Sequence, residues 1–63
     1  MDVVVDGRKA KVKGSPKTAA ELLRSLSMPR EEALVRINGK LASDSARISP
    51  KDDVKVLRVI FGG

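Results

Sequence analysis

The spacing of apolar residues divides the chain into short segments. In "MDVVV", Met1, Val3 and Val5 alternate with Asp2 and Val4, the period of a strand that turns one face to a core. Asp6-Gly7 follows, a dipeptide suited to the tight turn whose positive φ angles match the twist of paired strands. "RKAKVK" repeats the alternation, with Ala10 and Val12 inward and Lys9, Lys11 and Lys13 toward water, so the first segment predicts a hairpin. After the loop "GSPKT" the period lengthens. Ala19, Leu22, Leu23 and Leu26 fall on one face of the helix "AAELLRSL". Thr18 with Glu21 three residues later is a capping-box pattern at its start, and Pro29 prevents its continuation.

In "ALVRINGK" the strand period returns, with Val35 and Ile37 inward and Leu34 and Arg36 outward. Asn38-Gly39 is a second turn signal, followed by a short apolar step at Leu41-Ala42. "SDSARISPKDD" is polar and rich in turn formers, with Ile48 as its anchor in the core. In the last strand Val54, Val56, Arg58 and Ile60 alternate with Lys55, Leu57, Val59 and Phe61. Apolar groups on both sides fit a central strand, or a strand with one side left for docking. The order β-β-α-β-β, with a short fifth strand if Leu41 pairs, predicts an α+β domain: a four- to five-stranded mixed sheet covered by one helix. The first and last strands are expected at its centre and parallel, since the connection between them is long enough for a crossover.

Composition narrows the chemistry. A chain of 63 residues predicts one domain with a small core. It has neither cysteine nor histidine, which removes thiol nucleophiles, thiolate metal sites and the commonest general base. No metal site and no catalysis by this chain alone are expected. Asp52 and Asp53 read as turn formers, since neighbouring carboxylates before a strand point apart. No apolar run approaches the ~18 residues of a membrane span. The opening residues are not those of a secretory signal, so the cytoplasm is the expected location. The formal net charge is +5, from 13 basic and 8 acidic residues, and Phe61 is the single aromatic. Cations without aromatic platforms make specific nucleic-acid binding an unlikely use; they suit steering toward an acidic protein surface.

Three motifs add a resemblance that covers the whole chain. "VRINGK", "SPKDDVKVL" and "LRVIFGG" are similar to the third strand and turn, the acidic turn, and the apolar tail with diglycine of ubiquitin-like β-grasp proteins. The chain resembles the small prokaryotic and archaeal branch: sulfur carriers of thiamine and molybdopterin synthesis, and small archaeal modifier proteins. "VKVLRVIFGG" looks most like the modifiers related to transfer-RNA thiolation, and it lacks the proline often found before the diglycine in molybdopterin carriers.

The resemblance implies a β-grasp domain over residues 1–61 and a flexible diglycine tail at 62–63. It implies that a separate activating enzyme, using ATP with Mg, adenylates the carboxyl group of Gly63, Gly62 and Gly63 being slim enough to thread a narrow channel. A sulfur donor then yields a thiocarboxylate, or a thiol yields a thioester from which target lysines form isopeptides. The chain itself is then no enzyme, binds no cofactor and acts as a monomer. The docking surface for the activating enzyme is expected at Leu57, Val59, Phe61 and Arg36, on the outer sheet face with Leu34 and Val4. Lys40 is a candidate conjugation acceptor. Support of transfer-RNA thiolation is the leading expectation. Sulfur carriage for thiamine or molybdopterin synthesis is its alternative, and a plain β-grasp RNA- or protein-binding module the alternative from another class.

Overall fold

Two turns set the hairpins from which the sheet is assembled. Asp6 and Gly7 have φ of 50° and 82°, and Asn38 and Gly39 have 54° and 82°. Both pairs meet the need of a tight hairpin turn for two successive positive φ angles, which Gly supplies without steric cost and Asp or Asn tolerates. A computed structural model describes residues 1–59. In it the turns join β1 (Asp2–Val5) to β2 (Arg8–Lys11) and β3 (Ala33–Ile37) to β4 (Lys40–Ala42). The helix α1 (Ala19–Ser25), a 3₁₀ turn (Arg30–Glu32) and β5 (Val54–Arg58) complete the order. The division of the chain at residues 61 and 62 lies outside the described residues.

The sheet runs β2-β1-β5-β3-β4. β1 and β5 are parallel, and the other neighbours are antiparallel. The short step at Leu41 is thus a real fifth strand, and the fold is a ubiquitin-like β-grasp as expected. On the inner face Val3, Val54, Val56 and Leu22 of α1 are almost wholly withdrawn from solvent. Ile48 is buried with them, anchoring the polar segment before β5. Arg58, which alternates in step with Val54 and Val56, is exposed.

Thr18 caps α1 as its position suggests, its hydroxyl accepting from the Glu21 N–H at 3.2 Å. The next two orphan amides at that end, Ala19 and Ala20, donate to the carbonyls of Ala46 and Asp44. The other end is closed before Pro29 is reached. Ser27 takes a left-handed φ of 57°, its N–H donates to the Arg24 carbonyl, and that of Met28 donates to the Leu23 carbonyl. This is the helix stop usually built on glycine, with its customary apolar contact between Met28 and Leu23, both buried.

A polar network ties the β3–β4 turn to the entry of β5. Asn38 donates to Asp52 at 3.0 Å and accepts from the Asp53 N–H at 2.9 Å, while the Ser49 N–H donates to Asp52 at 2.7 Å. The Asp52 carboxylate and the Asp53 backbone N–H therefore serve the turn. The Ser49 N–H, and after it the Asn38 amide, hold the Asp52 carboxyl below its ordinary value.

Two outcomes follow from this packing. Leu22→Ala should cost ~2–5 kcal/mol, the range for emptying a fully buried leucine site, read by thermal or urea unfolding. The depressed Asp52 pKa means that its contribution is present above the ordinary value of 3.8 and is lost as pH falls through the lower folded value. The stability difference between the native chain and Asp52→Asn should therefore be constant near neutrality and shrink below pH 3.8. A difference that does not vary with pH would show that the negative charge is immaterial to these hydrogen bonds.

Candidate docking face and carrier tail

The outer face of the sheet is built by the residues that alternate with the core. Register aligns one row across all five strands: Lys9, Val4, Lys55, Arg36 and Leu41. Nearer the end of β5, Leu34 lies opposite Leu57. These two leucines are 43% and 38% exposed, so each keeps a large apolar area in water with no helix above it. Val59 continues the alternation on the same side. Its N–H donates to the Glu32 carbonyl at 2.8 Å, which extends the β3 pairing past the strand's formal end.

The expected docking residues Leu57 and Val59 are thus brought together, with Leu34 beside them. Arg36 lies in the adjoining row and is exposed. Phe61, Gly62 and Gly63 lie outside the described residues. Lys40 is exposed at the start of β4, opposite Ile37 and so toward the end of β3 farthest from Val59.

Charge on this face has a cost that the sequence alone does not reveal. Arg36 and Lys55 are cross-strand partners, and Lys9 lies two strands from Lys55 along the same row, with Val4 between them. Like charges directly opposite each other on a sheet are destabilising. Among the described residues the one ion pair is Arg30 with Asp44, at 2.7 Å, so this row holds its cations without a carboxylate partner. Cations flanking exposed leucines are the complement of an acidic partner surface with an apolar centre.

Elsewhere, a groove of about 360 Å³ beside α1 is lined by Ala20, Leu23, Arg24, Met28 and Arg30. Its ionisable groups are two arginines, which offer no acid–base pair. No cluster of potential metal ligands occurs among the described residues, and no helix there is long and apolar enough to cross a membrane.

A parallel central pair of strands, one helix on the inner face and an open outer face leading to a diglycine place the chain among ubiquitin-like β-grasp carriers. The comparison with family models matches residues 3–63 to the ThiS family. The chain belongs to that family. Among solved structures, it is similar to the crystal structure of a thiamine biosynthesis protein (ThiS) from Geobacter metallireducens, at 28% identity, with all of both chains covered and a TM-score of 0.64. No curated protein matches. Family and structure together make the chain a sulfur carrier of the ThiS type, a substrate of enzymes and not an enzyme itself, working with activating and sulfur-transfer partners. They support the sulfur-carrier alternative for thiamine or molybdopterin synthesis better than the leading expectation of transfer-RNA thiolation with conjugation.

Lys55→Glu separates docking from folding. It places a carboxylate opposite Arg36 and next to Val4, and should stabilise the fold by ~0.2–1 kcal/mol, the range for an opposite-charge cross-strand pair. The same substitution should weaken binding to the activating enzyme, measured by titration calorimetry at low and physiological salt. A variant of unchanged affinity would remove this row from the docking face.

Proposed function

We propose that the chain carries sulfur as a thiocarboxylate on Gly63, for a biosynthetic pathway of the thiamine type. The observation that carries this reading is that the family match extends through Gly62-Gly63, behind a strand whose exposed residues form a mixed apolar and cationic face. The printed role of the Geobacter relative supports the pathway. With no cysteine or histidine, the chain supplies the acyl group and the recognition surface, and its partners supply the chemistry.

A carboxylate is a poor electrophile, so the first step is activation. An oxygen of the Gly63 carboxylate attacks the α-phosphorus of Mg-bound ATP in the activating enzyme, and pyrophosphate leaves. The terminal sulfur of a persulfide on the donor protein attacks the acyl carbon, and AMP departs with the bonding pair. A thiolate then cleaves the acyl disulfide at its outer sulfur, releasing the thiocarboxylate and leaving a disulfide on the donor side. Leu57, Val59, Phe61 and Arg36 dock the activating enzyme, and the two glycines pass where a Cβ would collide.

Conjugation is the second reading, favoured by the likeness of "VKVLRVIFGG" to modifier proteins. In that case a lysine amine attacks the activated acyl group, with Lys40 of another copy among the candidates.

The test is intact-mass spectrometry after incubation with an adenylating enzyme of this class, Mg-ATP and a persulfide donor. The full chain should gain one sulfur in place of one oxygen. The chain lacking Gly62 and Gly63 should stay unchanged in mass while melting within the ~4–8 °C that ~1 kcal/mol shifts so small a domain. Gly-Gly remnants on lysines, without any thiocarboxylate, would replace carriage by conjugation.

A further inference from the structure

We propose that Asp6 is a positioning residue for the reacting terminus, its carboxylate standing in for a backbone carbonyl in the central ladder. In a parallel pair, one residue donates its N–H to the neighbouring strand and accepts, through its carbonyl, from an N–H two residues further along that strand. Asp6 keeps the first of these bonds, its N–H donating to the Val56 carbonyl at 2.9 Å. The second would run from the Arg58 N–H to the Asp6 carbonyl. Asp6 has already entered the hairpin turn, with its φ of 50°. The Arg58 N–H donates instead to Asp6 Oδ1, at 2.8 Å.

On the opposite side of β5, the Val59 N–H is held by the Glu32 carbonyl at 2.8 Å. The strand is therefore gripped from both sides as far as the described chain extends. From Val59 to Gly63 there are four residues, which reach at most ~14 Å even fully extended. The latch thus sets the direction of β5 at Arg58, five residues before Gly63 in the sequence. The bond is charge-assisted and lies in solvent. It acts as a local latch on the strand end, and the buried valines hold the fold.

This role rests on the carrier reading and is tested beside it. Asp6→Gly removes the carboxylate while tolerating the positive φ, and Asp6→Asn keeps both an Oδ1 acceptor and that tolerance. Amide hydrogen exchange of Arg58 and Val56 is followed by NMR, and adenylate formation is measured with an activating enzyme, resolving kcat from KM. In Asp6→Gly, exchange at Arg58 should rise about tenfold or more relative to Val56, the factor for the net worth of one hydrogen bond to a charged group. The kcat should fall while KM, which reports the untouched docking face, stays near that of the native chain; Asp6→Asn should rescue both readouts.

Arg58 and Val56 amides accelerating together would assign Asp6 to the turn alone and overturn the proposal. So would an Arg58 amide that is freed without any change in kcat. A native chain that is not adenylated would overturn the carrier reading and the positioning role with it, while exchange at Arg58 would still report whether the latch exists.

Discussion

β5 is bonded to β1 on one side and to β3 on the other, and this double pairing is what makes two hairpins into one sheet. Without it, β1–β2 and β3–β4 share no edge, and an isolated hairpin is marginal in water. The pairing also explains the concentration of buried area at the centre, where Val54 and Val56 meet Val3 and Leu22. Strand geometry then assigns the intervening residues to the other side. Leu57 is exposed because Val56 is buried, and a one-residue slip in register would exchange their environments. Folding and the proposed recognition thus draw on alternate positions of the same five residues.

Much of this was legible because it depends on neighbours in sequence. Asp6-Gly7 and Asn38-Gly39 carry their turn geometry in two residues, Thr18 caps the helix within one turn, and the alternation in β5 separates Val56 from Leu57. The parallel centre followed from a connection long enough to cross over. The missed features depend on segments distant in sequence. Ser27 ends α1 in a conformation usually given to glycine, two residues before the proline that was expected to stop it, so Met28 enters the core. The carbonyls of Asp44 and Ala46 complete the helix start from a stretch that reads only as polar. The second hydrogen-bonding role of Asp6 needs residue 58 beside it, and the cationic row needs the register of non-consecutive strands. Of the candidate site, the face was readable from alternation, whereas the pathway was inclined toward modifiers by a tail motif that several related groups share.

On the proposed docking role, the outer face embodies a tension between stability and recognition. A sheet surface selected for folding alone would place carboxylates among Lys9, Lys55 and Arg36, yet the row has none. The two edges of the sheet are treated differently from its middle. β2 presents lysines and β4 is only three residues long, both recognised ways to discourage pairing with another sheet edge. Exposed leucines lie at Leu34 and Leu57 toward the middle of the sheet and at Leu41, the most exposed of the three, on the edge strand β4.

The central position of β5 also governs when the protein can fold. A nascent chain that has emerged from the ribosome only as far as Asp53 contains both hairpins and the helix but lacks the strand that joins them. Its sheet would have a gap at the middle, and Val3 and Leu22 would have no opposite wall. Residues 54–58 must be outside the exit tunnel before the core can close, so folding waits for the strand that is made last of the five. A polypeptide truncated before Val54 consequently offers neither a closed core nor the assembled outer face. The proposed competence for recognition is coupled to the emergence of β5 by topology alone.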